Sequence, residues 1–271
     1  MAADERVVRA APLPRWLLVP AALGLVLLTV PLLAMLPRVD WADLPATLGS
    51  PAALDALGLS IRTAALAVVL CLLLGVPLAL ALSRARPRVA TVLRALVTLP
   101  LVLPPLVGGV ALLAVVGRTG VLGPWLERLG VTIAFTPWAI VLAQTFVALP
   151  FLVITVEGSL RTVGTRYDTV AATLGGRPWT VLRRVTLPLI APSLVGGTVL
   201  AFTRALGEFG ATALVAGNRP GVTQTVPMAI YSAFNGAGVT RDLALVLSVL
   251  LVATALVILL LVPAVRRRDA W

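Results

Sequence analysis

Lysine and histidine are absent from the chain of 271 residues, and cysteine occurs once, as Cys71. Each absence removes a chemistry. A Walker A loop uses a lysine to reach the nucleotide phosphates, so the Gly175-Gly176 pair is not a nucleotide site. Zinc is held by sets of His and Cys ligands, and a single cysteine inside an apolar run is no such set. Ser83, Ser159, Ser193, Ser232 and Ser248 have neither histidine nor lysine to act as their base. A lone thiol forms no intrachain disulfide, and packing is the plainest role for Cys71. The sequence therefore predicts no catalytic residue, no metal and no cofactor. Acidic residues are sparse too, 11 against 22 arginines, for a net charge of +11. A cationic excess points to nucleic acid when the charges line up in a stripe with stacking aromatics. These arginines instead fall in short loops between apolar runs, so no nucleic-acid partner is expected.

What the chain has in abundance is apolar surface. Hydrophobic residues make up 59% of it and the mean hydropathy is +1.04, well above a soluble domain. About 20 apolar residues cross the hydrocarbon core of a bilayer. Six runs serve, over residues 16–36, 58–82, 96–116, 137–156, 189–216 and 243–262. Arg6, Arg9 and Arg15 before the first run also suit a secretory signal, but the run is too long for one and no small-x-small cleavage site follows it. Segment 1–15 and the tail 263–271 are therefore expected on the cytoplasmic side. Asp40, Asp43 and Asp55 suit the outer face, and Ser83 to Arg88 form a basic inner turn. With Arg62 at the outer end of its span, 15 arginines fall inside, 6 outside, and Arg204 within a span, a bias that sets orientation. The expectation is an all-α integral membrane protein with six transmembrane helices, multi-pass in the bilayer, with both termini cytoplasmic. Pro100, Pro104, Pro105, Gly108 and Gly109 interrupt the third run. Such breaks survive in a membrane where neighbouring helices or a wet path satisfy the freed backbone groups, so this run is expected to face the bundle interior. No internal repeat or second domain is visible.

Between the fourth and fifth runs, residues 168–188 read DTVAATLGGRPWTVLRRVTLP. They open well as a helix, break at Gly175-Gly176, and give a second helical segment that is expected to stop at Pro188. Arg161, Arg166, Arg177, Arg183 and Arg184 place the loop on the cytoplasmic face. Alanine, three residues and glycine, then nine residues and an aliphatic-x-Leu-Pro ending, resembles the "EAA" loop of permease subunits in ATP-binding cassette (ABC) importers. Ala171, Gly175, Val185, Leu187 and Pro188 carry the match. Thr169 and Val170 stand where that family usually has Glu and Ala, with Asp168 supplying a carboxylate one position earlier. The resemblance covers residues 57–262 and implies the type I ABC importer permease fold, with a coupling helix lying in a groove of a cytoplasmic ATPase. Asp168, Ala171, Ala172, Gly175, Leu187 and Pro188 are the residues it assigns to that contact.

The stretch from Arg204 to Tyr231 bears on substrate. Its segments Leu206-Gly207-Glu208-Phe209-Gly210-Ala211-Thr212, Ala216-Gly217-Asn218, Thr223-Gln224-Thr225, Pro227 and Ala229-Ile230-Tyr231 look like the permeases of molybdate/tungstate importers. Sulfate and thiosulfate permeases share the Gly-Glu-aromatic-Gly core and remain the alternative. The resemblance implies an ATP-driven importer with a pair of cytoplasmic ABC ATPase subunits and an extracytoplasmic molybdate-binding protein. It also implies a second copy of this chain, as a homodimer in the bacterial cytoplasmic membrane. Residues 218–227 are expected to pack against the outer binding protein. A non-transporting scaffold that docks a cytoplasmic partner is the reading from another class. Proline and glycine in the third run and charges in the fifth, which a passive anchor does not need, count against it.

Arg204 and Glu208 lie four residues apart, on one helical face of the fifth run. Charges inside a bilayer are costly and face a bundle interior or wet cavity. A structural ion pair and an anion path fit that pattern equally. In the path reading Thr203, Arg204, Gly207, Glu208, Gly210 and Thr212 line the passage, with Arg204 attracting a dianion and Glu208 keeping it from binding too tightly.

Overall fold

The computed structural model describes residues 14–236 and 240–268; the expected N-terminal segment 1–15 lies almost wholly outside them. Every regular element among the described residues is helical. α1 (Leu18–Leu33) is apolar on all sides and buries none of its residues. A short α2 (Leu44–Leu48) leads to α3 (Pro51–Arg84). Ser50 starts α3 by accepting a hydrogen bond from the Ala53 N–H at 3.4 Å, with Pro51 in the first turn, where its missing donor costs nothing. At 34 residues and 1.5 Å each, α3 is about 51 Å long, longer than a bilayer core. The expected span 58–82 is only its middle.

The third run holds two helices, α4 (Pro87–Val102) and α5 (Pro105–Val116), bent by 112° at Leu103-Pro104. Leu103 precedes a proline and is extended, with ψ 136°, which ends α4 where the sequence places it. α6 (Gly123–Arg128) covers the loop before α7 (Pro137–Val163). Beyond α7 lie α8 (Arg166–Thr173) and α9 (Pro178–Val181), then a π turn over Leu182–Thr186 that runs directly into α10 (Leu187–Leu206). The helical path therefore does not stop at Pro188. That proline sits in the first turn of α10, the position where proline leaves a helix intact. The fifth run also breaks, at Gly207-Glu208-Phe209, and resumes as α11 (Gly210–Ala216). The loop expected over 217–242 contains α12 (Val226–Phe234). Finally α13 (Arg241–Arg268) stays helical through most of the expected tail. Among the described residues, five helical segments are long and apolar enough to cross a membrane, and six when α4 and α5 count as one broken span.

α7 is the hub of the packing. Its Leu152 is fully buried against two glycines: a Cβ built on Gly75 of α3 or on Gly197 of α10 would lie 3.1 Å from a Leu152 δ-carbon. Small residues at helix crossings let backbones approach inside a bilayer, where apolar burial gives no drive. Gly196, one residue away, has open space around its Cβ position. Gly197→Val should therefore cost about 1–3 kcal/mol by overpacking, while Gly196→Ala leaves stability unchanged or raised. Thermal unfolding in detergent checks this, and equal midpoints for the two variants would contradict the packing.

Two apolar clusters divide along α7. The larger joins α3, α7 and α10 through residues such as Ala67, Ala148, Leu152 and Leu206. The second joins α5, α7 and α11 through Leu112, Ile140, Ala143, Ala211 and Val215. A third ties Ala53 and Ala56 of α3 to Val226 and Ala229 of α12 and Leu247 of α13.

Candidate functional site

The loop from α8 to α10 is built by its glycines. Gly175 has φ +81°, and its N–H donates to the Ala172 carbonyl at 3.0 Å while the Gly176 N–H donates to the Ala171 carbonyl at 3.0 Å. That pair of bonds is a Schellman cap, whose left-handed residue is favourable for glycine. Gly176 is glycine for a different reason: a Cβ there would meet the Ala171 carbonyl oxygen at 2.7 Å. Turned sharply in this way, the loop exposes Tyr167, Val170, Leu174 and Trp179, with Leu174 84% exposed. Apolar side chains presented together like this mark a docking surface. Ala172 is exposed and Ala171 half-buried on the same loop, and Pro188 is exposed beyond it.

Two of the expected contact residues point elsewhere. Asp168 accepts from Arg84 Nη2 at 2.9 Å and from Thr186 Oγ1 at 2.8 Å. Its carboxylate thus ties the loop to the end of α3 and to the π turn before α10. Leu187 is half-buried and packs against the larger cluster, so it belongs to the bundle. Arg84 is 55% exposed, and an exposed ion pair is worth about 1 kcal/mol or less. Asp168→Ala should therefore leave the global midpoint nearly unchanged yet speed amide exchange across residues 166–186. Unchanged local exchange would show that the tether does not hold the loop.

The second region is the break between α10 and α11. Arg204 lies in the last turn of α10, about 26 Å from Leu187 by helix rise. Its Nη2 sits 2.6 Å from Glu208 Oε2, with the arginine side chain 29% exposed and the carboxylate 1% exposed. Glu208 itself is outside the helix. Its other oxygen accepts the Ala211 N–H at 2.8 Å, so it caps the first turn of α11 as well as neutralising Arg204. Gly207 is exposed at the break, beside an apolar hollow lined by Phe209, Ile230, Tyr231 and Phe234. Phe209 and Tyr231 stack there with ring centroids 4.8 Å apart.

The other expected pathway residues are turned inward. Thr203 Oγ1 donates back within α10, 3.1 Å from the carbonyls of Val199 and Leu200. Gly210 is glycine because a Cβ would lie 2.6 Å from Pro105 Cβ, which packs α11 on the bent start of α5. Thr212 is fully buried with its hydroxyl unpartnered among the described residues. The expected docking stretch 218–227 is divided, with Asn218 to Gly221 exposed and Thr223 to Val226 buried. Thr223, Gln224 and Thr225 are buried, Gln224 Nε2 donates to Asn218 Oδ1 at 3.0 Å, and Ser60 Oγ of α3 accepts the Val226 N–H at 2.8 Å.

Besides Arg84–Asp168, a buried ion pair escaped the sequence reading. Arg94 of α4 grips Glu157 of α7 with two nitrogens, Nη2 to Oε1 at 2.6 Å and Nε to Oε2 at 3.2 Å, and Glu157 is 5% exposed. The signal was a lone acid near the end of one apolar helix and an arginine midway along another. This fork fastens the arm α4 to the hub, on the side of α7 that leads into the loop.

Residues 72–268 match the family described as the binding-protein-dependent transport system inner membrane component. The molybdenum transport system permease protein ModB of Mycobacterium tuberculosis is 54% identical over 253 residues, covering 93% of this chain and 94% of that one. Its namesake in Escherichia coli is 40% identical over 181 residues, covering 66% and 79%. Among solved structures, a bacterial alginate ABC transporter in complex with its alginate-bound periplasmic protein superimposes with a TM-score of 0.71 over 94% of this chain and 95% of that one. At 17% identity that likeness speaks to fold alone, the fold of an ABC importer's membrane subunit. The broken spans, the exposed loop and the matched sequence agree, and the chain belongs to the family of inner membrane components of binding-protein-dependent transport systems.

Proposed function

We propose that this chain is the membrane-spanning permease of an ATP-driven importer that carries molybdate across the bacterial cytoplasmic membrane. The observation that carries the reading is the 54% identity, over nearly the whole of both chains, with a molybdenum transport permease. The loop supplies its physical side. A cluster of exposed apolar side chains on a rigid, capped turn needs an apolar groove, and the arginines around it favour an acidic rim. That partner is a cytoplasmic ATPase pair, which hydrolyses the ATP this chain has no residues to bind. Ala171, Ala172 and Gly175 give the close approach, Tyr167, Val170, Leu174 and Trp179 fill the groove, and Asp168 holds the loop in shape. On the opposite face an extracytoplasmic binding protein delivers the anion. Two copies of the chain flank the path, both termini are cytoplasmic, and the arginine bias sets that orientation. At the break Arg204, with Gly207 beside it, meets the anion, while buried Glu208 weakens its pull.

The test is the assembled complex of permease, ATPase and binding protein in liposomes. Molybdate-loaded binding protein should raise ATP hydrolysis severalfold over unloaded protein. No stimulation by the loaded form would remove the chain from this class of importer.

A further inference from the structure

Along α7 the second apolar cluster gives way to the larger one. Val141 already belongs to the larger, and beyond it the buried members pass from Ala143 of the second to Ala148 of the larger. Between them sits Gln144, fully buried, with neither its carbonyl oxygen nor its amide nitrogen hydrogen-bonded to any described residue. The chain makes the same crossing once more, from Leu206 in the larger cluster to Ala211 in the second, and the next residue is Thr212, whose buried hydroxyl is also unpartnered. The break at Gly207-Glu208-Phe209 falls on this crossing. A seam between two packed bodies therefore carries a primary amide, a hydroxyl and the Arg204–Glu208 pair.

Unpaired buried polar groups are rare because each forfeits its hydrogen bonds to water, and inside a bilayer no lipid replaces them. An apolar residue at either position would suit the closed packing better. A group that is costly in one arrangement earns retention by being satisfied in another. We propose that Gln144 and Thr212 are neutral donors to the tetrahedral oxyanion as it passes the seam, paired only when the two clusters part. Two amide N–H groups and one hydroxyl match an ion that presents acceptors alone. Neutral donors hold a dianion without the deep well that added cations would create, which leaves Arg204 as the single positive charge there. The seam is the hinge: α10 and α11 are already separate helices, α4 and α5 meet at a 112° bend, and α7 runs unbroken through both clusters.

This inference rests on the molybdate reading, and the experiment separates the two. Uptake of labelled molybdate is measured in liposomes holding the full complex, at saturating loaded binding protein, for wild type, Gln144→Met, Gln144→Asn and Thr212→Val. Methionine keeps the length of glutamine and loses its donors, while asparagine is shorter and keeps them. The expected order is wild type, then Asn, then Met, with Met at least tenfold down and Thr212→Val severalfold down. Thermal midpoints should run the other way, with Met equal to or above wild type and Asn below it. Uptake that follows the midpoints, or full uptake by Gln144→Met, overturns the donor role and leaves Gln144 a static internal group. Absence of molybdate uptake by wild type itself would instead overturn the reading beneath it.

Discussion

A permease carrying Gly175→Glu is expected to fold, insert and transport nothing. No described residue lies within 4 Å of a Cβ at Gly175, so the first atom of a glutamate side chain there has open space within the chain, and the obstruction is expected from the docked ATPase. The side chain does carry a backbone cost, since φ is +81° and a left-handed non-glycine residue costs on the order of 1–3 kcal/mol. Gly175→Asn is the comparison that avoids most of that cost, because asparagine tolerates the left-handed region and is smaller than glutamate. The expected pattern is near-normal assembly and uptake for Asn, and loss of ATPase binding with at least tenfold lower uptake for Glu. Both variants should insert, with the glutamate midpoint lowered by no more than that backbone cost. If the glutamate variant copurifies with the ATPase and transports normally, Gly175 is a cap and not a contact.

The second large effect is at Arg204. From sequence alone, Arg204→Gln could remove the cation without touching stability, but Glu208 is 1% exposed in the structure. Removing the partner of a buried carboxylate leaves an uncompensated charge, at about 3–5 kcal/mol. Arg204→Gln should therefore lower both stability and uptake. Exchanging the two charges cannot rescue it, since position 208 must accept the Ala211 N–H and arginine has no acceptor. The informative variant is Arg204→Gln with Glu208→Gln. It buries no charge and keeps a carbonyl for the cap, so its thermal midpoint should return most of the way to wild type. Uptake at saturating loaded binding protein should stay at least tenfold low. Recovery of uptake along with stability in that double variant would make the pair structural.

These two sites also show what a sequence reveals and what it hides. The apolar runs were legible because bilayer thickness sets a minimum length for every span, and each run is filled mainly by one helix or, in the third and fifth, by two helices on either side of a break. The loop was legible because its spacing of Ala171, Gly175 and Leu187-Pro188 is specific. Asp168 was read as an ATPase contact, and its intrachain partners stayed hidden because Arg84 and Thr186 lie 84 and 18 residues away and no local pattern links them. Gly210 was placed on the path, whereas its missing Cβ makes room for Pro105; glycine reads alike in a passage and at a tight helix contact. Thr223, Gln224 and Thr225 looked like an outer docking loop because polar residues between spans normally face water, yet they pair or pack within the chain. Likewise Pro104 announced a break, but the 112° turn it produces depends on how α5 seats on α11.

The central claim is that this permease moves molybdate by coupling to ATP hydrolysis, and the direct measurement is uptake of labelled molybdate by cells without their own system, expressing the complete complex. The account predicts uptake that needs an ATPase competent in hydrolysis, is lost with Gly175→Glu, and persists against a hundredfold excess of sulfate. Uptake abolished by sulfate competition would move the chain to the sulfate permeases, and molybdate uptake unaffected by an inactive ATPase would contradict the account at its root.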